Sequence, residues 1–319
     1  MMVYKFNEIK VLSIEITSIC NAKCPGCARL SLTNYSYMDD ITWNKLIIQE
    51  NLQHIKRLIF NGNYGDFICH PKSLYFLSKI YKRDIEIIIN TNAGIRSSAY
   101  WKSLAAILQT FENHKVIFAI DGTTEETHSN HRQNTKLSKV LKNATTFISH
   151  GGNACWSFIT FKENEHQIIH ARNMAIEYGF KEFRLVNSYS NLMINSQGKP
   201  LQALQPVKYL SYLYKYRHSE IPMNKIEKNT DNYNCPWVEV RRLQIDSDGI
   251  VYPCCWSAIY SSNILNLDYS KALSIKDYSL QEILKSNFYQ KIITDKIQDE
   301  TSYCNTKCPG KKIDFKIHY

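Results

Sequence analysis

Over roughly the first 190 residues, short apolar runs alternate with longer stretches whose apolar positions recur every three or four residues. Val11 to Ile16, Arg57 to Phe60, Ile85 to Asn90, Lys115 to Ile120, Cys155 to Phe161 and Phe183 to Val186 read as six strands. Most are too apolar for a sheet with one wet face. Helical spacing fills the intervals, over Thr42 to His54, Lys72 to Tyr81, Ser98 to Thr110, Leu137 to His150 and Glu165 to Tyr178. The last of these has Asn164 as its predicted N-cap, Gln167 three residues on and Gly179 as its stop. Such alternation predicts a parallel sheet with helices outside, closed as a barrel or open and doubly wound. In either case ligands gather at the C-terminal ends of the strands.

Beyond this region the pattern changes. Residues 191–232 are rich in Asn, Ser, Gln, Lys and Tyr and read as a connection with one helix near Pro206 to Arg217. Val238 to Ile245 and Ile250 to Tyr252 then flank Asp246-Ser247-Asp248-Gly249, a hairpin signal. The two aspartates faintly match a calcium loop, but the other ligand positions are missing, so the turn is the better reading. Ser279 and Glu282 form a capping box for a helix from Leu280 to about Ile297. The predicted organisation is a barrel over 1–190, the connection over 191–232 and a small C-terminal domain over 233–319.

Composition bounds the class. With 319 residues, 44% hydrophobic and 21% charged, the chain has ample material for a core and little room for wholesale disorder. No apolar run is long enough to span a membrane and no signal peptide is apparent, so a cytoplasmic location is expected. The net charge of +10 admits an acidic partner, yet the lysines are scattered, as on a solvated basic surface.

The ten cysteines change the picture, because clustered thiols in a cytosolic chain point to metal or redox chemistry. Cys20, Cys24 and Cys27 crowd the segment after the first strand, while Cys235, Cys254, Cys255, Cys304 and Cys308 fall in the last third. Three cysteines in one loop leave a structural zinc one ligand short, but they hold a [4Fe-4S] cluster with one iron open.

The C-x3-C-x2-C spacing after the first strand resembles the signature of the radical S-adenosylmethionine superfamily. That resemblance implies a partial (β/α)6 TIM-like barrel in an α/β chain. It also implies a catalytic [4Fe-4S] cluster on Cys20, Cys24 and Cys27, and S-adenosylmethionine on the open iron, cleaved to a 5′-deoxyadenosyl radical that abstracts hydrogen from the substrate. Tyr64-Gly65-Asp66-Phe67 is similar to the family's Gly-Gly-Glu-Pro stretch, with Tyr, Asp and Phe departing from it. This implies that Gly65 and Asp66 hold the cofactor's amino group. Asn90 to Gly94, with Thr91 and Asn92, resembles the stretch that meets ribose and carboxylate. Asp121-Gly122 with His128 and Arg132 resembles a segment of members with extra clusters, which implies that the Asp121 carboxylate and the Arg132 guanidinium orient cofactor or substrate; a helix cap and a surface ion pair are the alternatives.

Cys235, Cys254, Cys304 and Cys308 resemble the ligands of a SPASM/Twitch-like domain, a small α+β hairpin-plus-helix unit, and would saturate one auxiliary [4Fe-4S] cluster, with Cys255 spare or exchanging with Cys254. Cys69, just past the second strand, reads as a buried thiol or a hydrogen-atom donor.

The implied activity is oxidation, epimerisation or crosslinking of a small polar molecule, sugar or peptide, driven by an external electron donor such as flavodoxin or ferredoxin. No membrane or nucleic-acid partner is expected. The short stretch before the first strand tilts the substrate toward a small molecule or sugar. The rival reading is a non-catalytic zinc protein that contacts nucleic acid through its basic surface.

Overall fold

In the computed structural model of the chain, the structure describes residues 5–187, 237, 240–259 and 273–292. Eight strands form one sheet: β1 (Val11–Ile14), β2 (Arg57–Phe60), β3 (Glu86–Thr91), β4 (Asn113–Ala119), β5 (Ala154–Thr160), β6 (Glu182–Asn187), β7 (Arg242–Ile245) and β8 (Val251–Tyr252). Their spatial order is β6-β5-β4-β3-β2-β1-β7-β8. All pairs from β6 through β1 to β7 are parallel, and only β7 and β8 run antiparallel. The first six strands follow chain order without reversal, which decides for the barrel type over the doubly wound sheet. All six predicted strands are present.

The helices are α1 (Asp40–Leu46), α2 (Gln49–Leu52), α3 (Ser73–Lys79), α4 (Ser98–Leu108), α5 (Glu125–His131), α6 (Leu137–Ser149), α7 (Ile168–Glu177), α8 (Cys255–Ile259) and α9 (Leu280–Lys285). One face of each strand packs against this layer through Leu12, Leu58, Ile87, Phe118 and Trp156, with Trp43, Phe76, Trp101 and Phe147 supplied by the helices. The opposite face carries a smaller cluster of Val11, Ile59, Ile88, Ile117 and Cys155, which fills the bottom of the barrel. Ion pairs between Arg57 and Glu86 and between Lys115 and Glu182 lie at the same strand beginnings. The bottom of the barrel is therefore plugged, and chemistry is left to the other end.

Several local expectations are corrected. The single helix expected over Thr42 to His54 starts earlier, because the Asp39 carboxylate caps Thr42 N at 2.7 Å. It breaks after Leu46, where Asn51 Nδ2 donates to the carbonyls of Lys45 and Leu46 at 3.0 and 3.1 Å. Asn164 does not cap α7. Its Oδ1 accepts from Phe161 N at 2.7 Å, and its Nδ2 donates to the carbonyls of Asp121 and Ile159 at 2.9 Å each, tying the end of β5 to that of β4. Gly179, at φ +80°, does end α7.

The hairpin turn is as expected, with Asp246 Oδ1 accepting from the amides of Asp248 and Ile250. Its first strand, β7, extends the barrel sheet beside β1. The capping box at Ser279 and Glu282 is present, but α9 stops at Lys285, because Ser286 adopts an extended backbone. The helix expected near Pro206 to Arg217 lies outside the described residues.

Candidate active site

The cysteine loop leaves β1 through Glu15 to Ser18, all buried. Asn92 Nδ2 donates to Cys20 Sγ at 3.4 Å, and Arg132 Nη1 approaches Cys24 Sγ at 3.8 Å. The loop is also bound to the turn after α5, since Lys23 N donates to Gln133 O at 2.8 Å and Asn134 Nδ2 donates to Asn21 O at 2.7 Å. Burial pushes the Cys20 and Cys24 thiols well above their ordinary range, so their deprotonation awaits a compensating positive charge. Sulfurs that already receive N–H donors, in a loop too buried for free thiolates, fit metal ligation. Among the described residues, no three His, Cys, Asp or Glu side chains converge on a point where a single metal ion could sit.

The loops after β2 and β3 interlock with the cysteine loop. Gly65 packs so closely on it that a Cβ there would lie 1.7 Å from Thr17 O, which explains the glycine. Asp66 is buried, and its carboxylate is engaged by backbone: Oδ1 accepts from Ile68 N at 3.2 Å and Oδ2 from Asn92 N at 2.7 Å. Burial raises its pKa, against those bonds. Thr91 Oγ1 accepts from Ala93 N at 2.9 Å and Asn92 Oδ1 from Gly94 N at 2.8 Å, which together fold the turn. Arg96 staples the two loops, its Nε donating to Ile68 O at 2.7 Å and its Nη2 to His70 O at 2.8 Å. Cys69 donates to Asn21 Oδ1 at 3.5 Å, and burial pushes its thiol up to about 12. It therefore sits neutral beside the cysteine loop.

After β4, Asp121 is fully buried and accepts three hydrogen bonds, from His131 Nδ1 (2.7 Å), Arg132 Nε (2.6 Å) and Ile159 N (2.7 Å). Burial alone would raise its pKa, but the Arg132 charge and His131 hold it well below the usual carboxylate range. Gly122 is required by close packing, since a Cβ would lie 2.3 Å from His128 N. His128 itself bonds Thr135 Oγ1 at 3.0 Å, and burial pushes its pKa down to about 4. The partner of Asp121 is instead His131.

His131, Asn21 and Arg96, which bond within these loops, and the buried Glu15 at the end of β1 are residues that sequence reasoning passed over. A lone acid in the apolar run Val11 to Ile16 was the available signal for Glu15. Of the C-terminal cysteines, Cys254 and Cys255 are described and partly buried, whereas Cys235, Cys304 and Cys308 lie outside the described residues. Ser257 N donates to Cys254 Sγ at 3.4 Å. Asn63 Nδ2 reaches Cys255 O at 3.2 Å, so the loop after β2 touches this cysteine pair directly.

Residues 235–309 match the family model of SPASM, an iron-sulfur cluster-binding domain, and this range takes in Cys235, Cys254, Cys255, Cys304 and Cys308. The described part of the barrel and that match point the same way as solved relatives. Streptococcus suis SuiB bound to S-adenosylmethionine superposes with a TM-score of 0.64 at 15% identity, over 89% of this chain and 67% of that one. The chain has the fold of the radical S-adenosylmethionine enzymes and carries a SPASM domain.

BtrN in complex with AdoMet and 2-DOIA superposes on the radical S-adenosylmethionine fold of this chain at TM-score 0.52 and 12% identity, over 93% of this chain and 92% of that one. The tungsten-containing aldehyde ferredoxin oxidoreductase cofactor-modifying protein of Pyrococcus furiosus is 22% identical over 263 residues, 77% of this chain and 71% of that one. SuiB has also been solved bound to its precursor peptide SuiA. An iron-sulfur domain displaces the zinc reading of the C-terminal cysteines. No helix among the described residues is long and apolar enough to cross a membrane.

Proposed function

We propose that this chain uses S-adenosylmethionine and an iron-sulfur cluster on Cys20, Cys24 and Cys27 to abstract hydrogen from a peptide or small polar substrate, with the SPASM domain holding auxiliary iron-sulfur chemistry. The observation that carries this is the interlocked loop set. Cys20 accepts from Asn92, Cys24 faces Arg132, and Asp66 joins the second and third loops at the C-terminal ends of neighbouring parallel strands. A cluster held by Cys20, Cys24 and Cys27 would supply the electron for opening the sulfonium.

The chain's own residues do the rest. Asn92 and Arg132 donate toward cluster-side sulfur, the anionic end of the site. Asp121 fixes the guanidinium, and Asp66 fixes the turn of Thr91 and Asn92, which would meet the cofactor's polar groups. Cys235, Cys254, Cys304 and Cys308 would complete an auxiliary [4Fe-4S] site, with Cys254 already oriented by Ser257. Reductive cleavage consumes one electron, which an external donor such as a flavodoxin or ferredoxin would supply. SuiB bound to its precursor peptide SuiA supports a peptide substrate, and BtrN in complex with 2-DOIA supports a small-molecule one.

The test is anaerobic reconstitution followed by assay of 5′-deoxyadenosine with dithionite as reductant. Formation of 5′-deoxyadenosine by the wild type, and none by a Cys20/Cys24/Cys27 triple alanine variant, supports the reading. Equal formation by both overturns it.

A further inference from the structure

Glu15 stands one residue beyond β1 and is 2% exposed, in a run of otherwise apolar and small side chains. Its Oε1 accepts two backbone amides at once, Tyr64 N and Gly65 N, each at 2.7 Å. The space it occupies is left by a second glycine: a Cβ on Gly62 would lie 2.7 Å from Glu15 Oε1. Its own amide donates to Ile245 O at 2.8 Å, and the charge of Asp246, from the hairpin that follows β7, disfavours its ionised form. Just beyond, Asp66 N donates to Ile19 O at 2.9 Å, so the loop after β2 is threaded along residues 15–19, with Glu15 holding the Tyr64 and Gly65 amides. A buried acid is costly unless it is hydrogen-bonded or protonated, and burial pushes this one up to about 8. Such a group is held at that cost between the loop after β2 and β7, the strand that extends the sheet beside β1.

We propose that Glu15 is a positioning residue, whose single oxygen fixes the Tyr64-Gly65 backbone against the cysteine loop and so sets where S-adenosylmethionine can seat. The inference rests on the proposed function, because the ligand is the cofactor assigned there. What Glu15 adds is an acceptor of fixed reach. Glutamine keeps that carbonyl oxygen at the same distance with two lone pairs, aspartate withdraws it by one methylene, and alanine removes it. Geometry therefore predicts a ranking that charge alone would not. With glutamine the seat survives, with aspartate it is weakened, and with alanine it is lost.

The experiment uses full-length protein, reconstituted anaerobically, in wild-type, Glu15→Gln, Glu15→Asp and Glu15→Ala forms. Two readouts are taken: amide hydrogen exchange over residues 61–66 without added S-adenosylmethionine, and the dissociation constant for S-adenosylmethionine by equilibrium dialysis. Glu15→Ala is expected to exchange at least tenfold faster at Tyr64 and Gly65 and to bind at least tenfold more weakly, with iron content unchanged. Glu15→Gln is expected to stay within about threefold of wild type in both, and Glu15→Asp to fall between. If the alanine variant does not fold, the contrast between glutamine and aspartate decides.

Wild-type affinity in Glu15→Ala or Glu15→Asp overturns the proposal, as does a glutamine variant no better than alanine. The two readings separate cleanly. A wild-type protein that does not bind S-adenosylmethionine refutes the proposed function, whereas unchanged amide exchange in the alanine and aspartate variants refutes the clamp.

Discussion

Asp121→Asn tests whether the loop set is held by charge or merely by packing. In the wild type the carboxylate is fully buried and pairs with an Arg132 side chain that is 14% exposed. Each carboxylate oxygen faces donors only, Oδ1 meeting Ile159 N and Oδ2 meeting His131 and Arg132. Asparagine keeps the shape but must turn its NH2 toward one of those donors, and it leaves the guanidinium without a counter-charge. Breaking a buried pair by removing one partner costs about 3–5 kcal/mol. At about 2–4 °C per kcal/mol for a domain of this size, the melting temperature should fall by roughly 6–20 °C.

Scanning calorimetry on anaerobically reconstituted protein gives the number. The pH dependence gives the sign. Asp121 has its pKa depressed in the folded state, so its contribution is fully present above the ordinary carboxylate value of about 3.9 and is lost as pH falls through the lower folded value. The difference between wild type and variant should therefore be constant near neutrality and close only in strong acid. A loss below about 1 kcal/mol, or a difference that closes near neutral pH, would show that Arg132 finds its compensation elsewhere.

Other consequences are direct. Reconstituted wild type should hold about eight irons with one auxiliary cluster, and the Cys20/Cys24/Cys27 triple alanine variant about four by iron analysis. Asp66→Ala should weaken S-adenosylmethionine binding roughly 10- to 100-fold with iron content intact, because two accepted backbone bonds worth on the order of 1.5–3 kcal/mol fix the neighbouring turn; unchanged affinity would remove Asp66 from the site. Replacing Cys304 and Cys308 with Ala should spare 5′-deoxyadenosine formation yet stop substrate turnover, and a soluble variant that still turns over would make the auxiliary centre structural. Glu15, raised from 4.5 to about 8, takes up a proton on folding, so wild-type stability should fall as pH rises across that window; Glu15→Gln should flatten the slope in urea titrations at several pH values.

Spacing along the chain is enough to single out Cys20, Cys24 and Cys27, since all three fall in one short loop after the first strand. The same is true of the six strands, whose apolar runs and chain-order pairing leave little freedom. What holds the loop is not written locally. Asn92 reaches Cys20 across 72 positions and Arg132 reaches Cys24 across 108. His131 was hidden because a seven-residue polar helix gives no periodicity, and because His128, three residues earlier, offers the same chemistry to a reader of motifs. Asn164 misled for a related reason: its side chain can satisfy a helix end or two distant carbonyls equally well, and only the approach of β4 to β5 decides for the carbonyls.

The position of β7 carries the argument one step further. Its pairing with β1 puts Ile245 O on Glu15 N, while Ser247 Oγ lies 2.6 Å from Ser36 Oγ on the far side of the cysteine loop. Residues 245–247 thus grip both flanks of the segment that carries the three cysteines. Asn63 and Tyr64, held in part by Glu15, contact α8 through the carbonyls of Cys255 and Ala258. A disturbance at the C-terminal cysteines therefore has a covalent and hydrogen-bonded route of only a few residues to the cofactor loop. If that route matters, Asn63→Ala should leave iron content at both sites unchanged and yet shift the affinity for S-adenosylmethionine in the wild-type background but not in Glu15→Ala, where the loop is already released. Additive effects of the two substitutions would instead mean that the loop and the cysteine pair are neighbours without coupling.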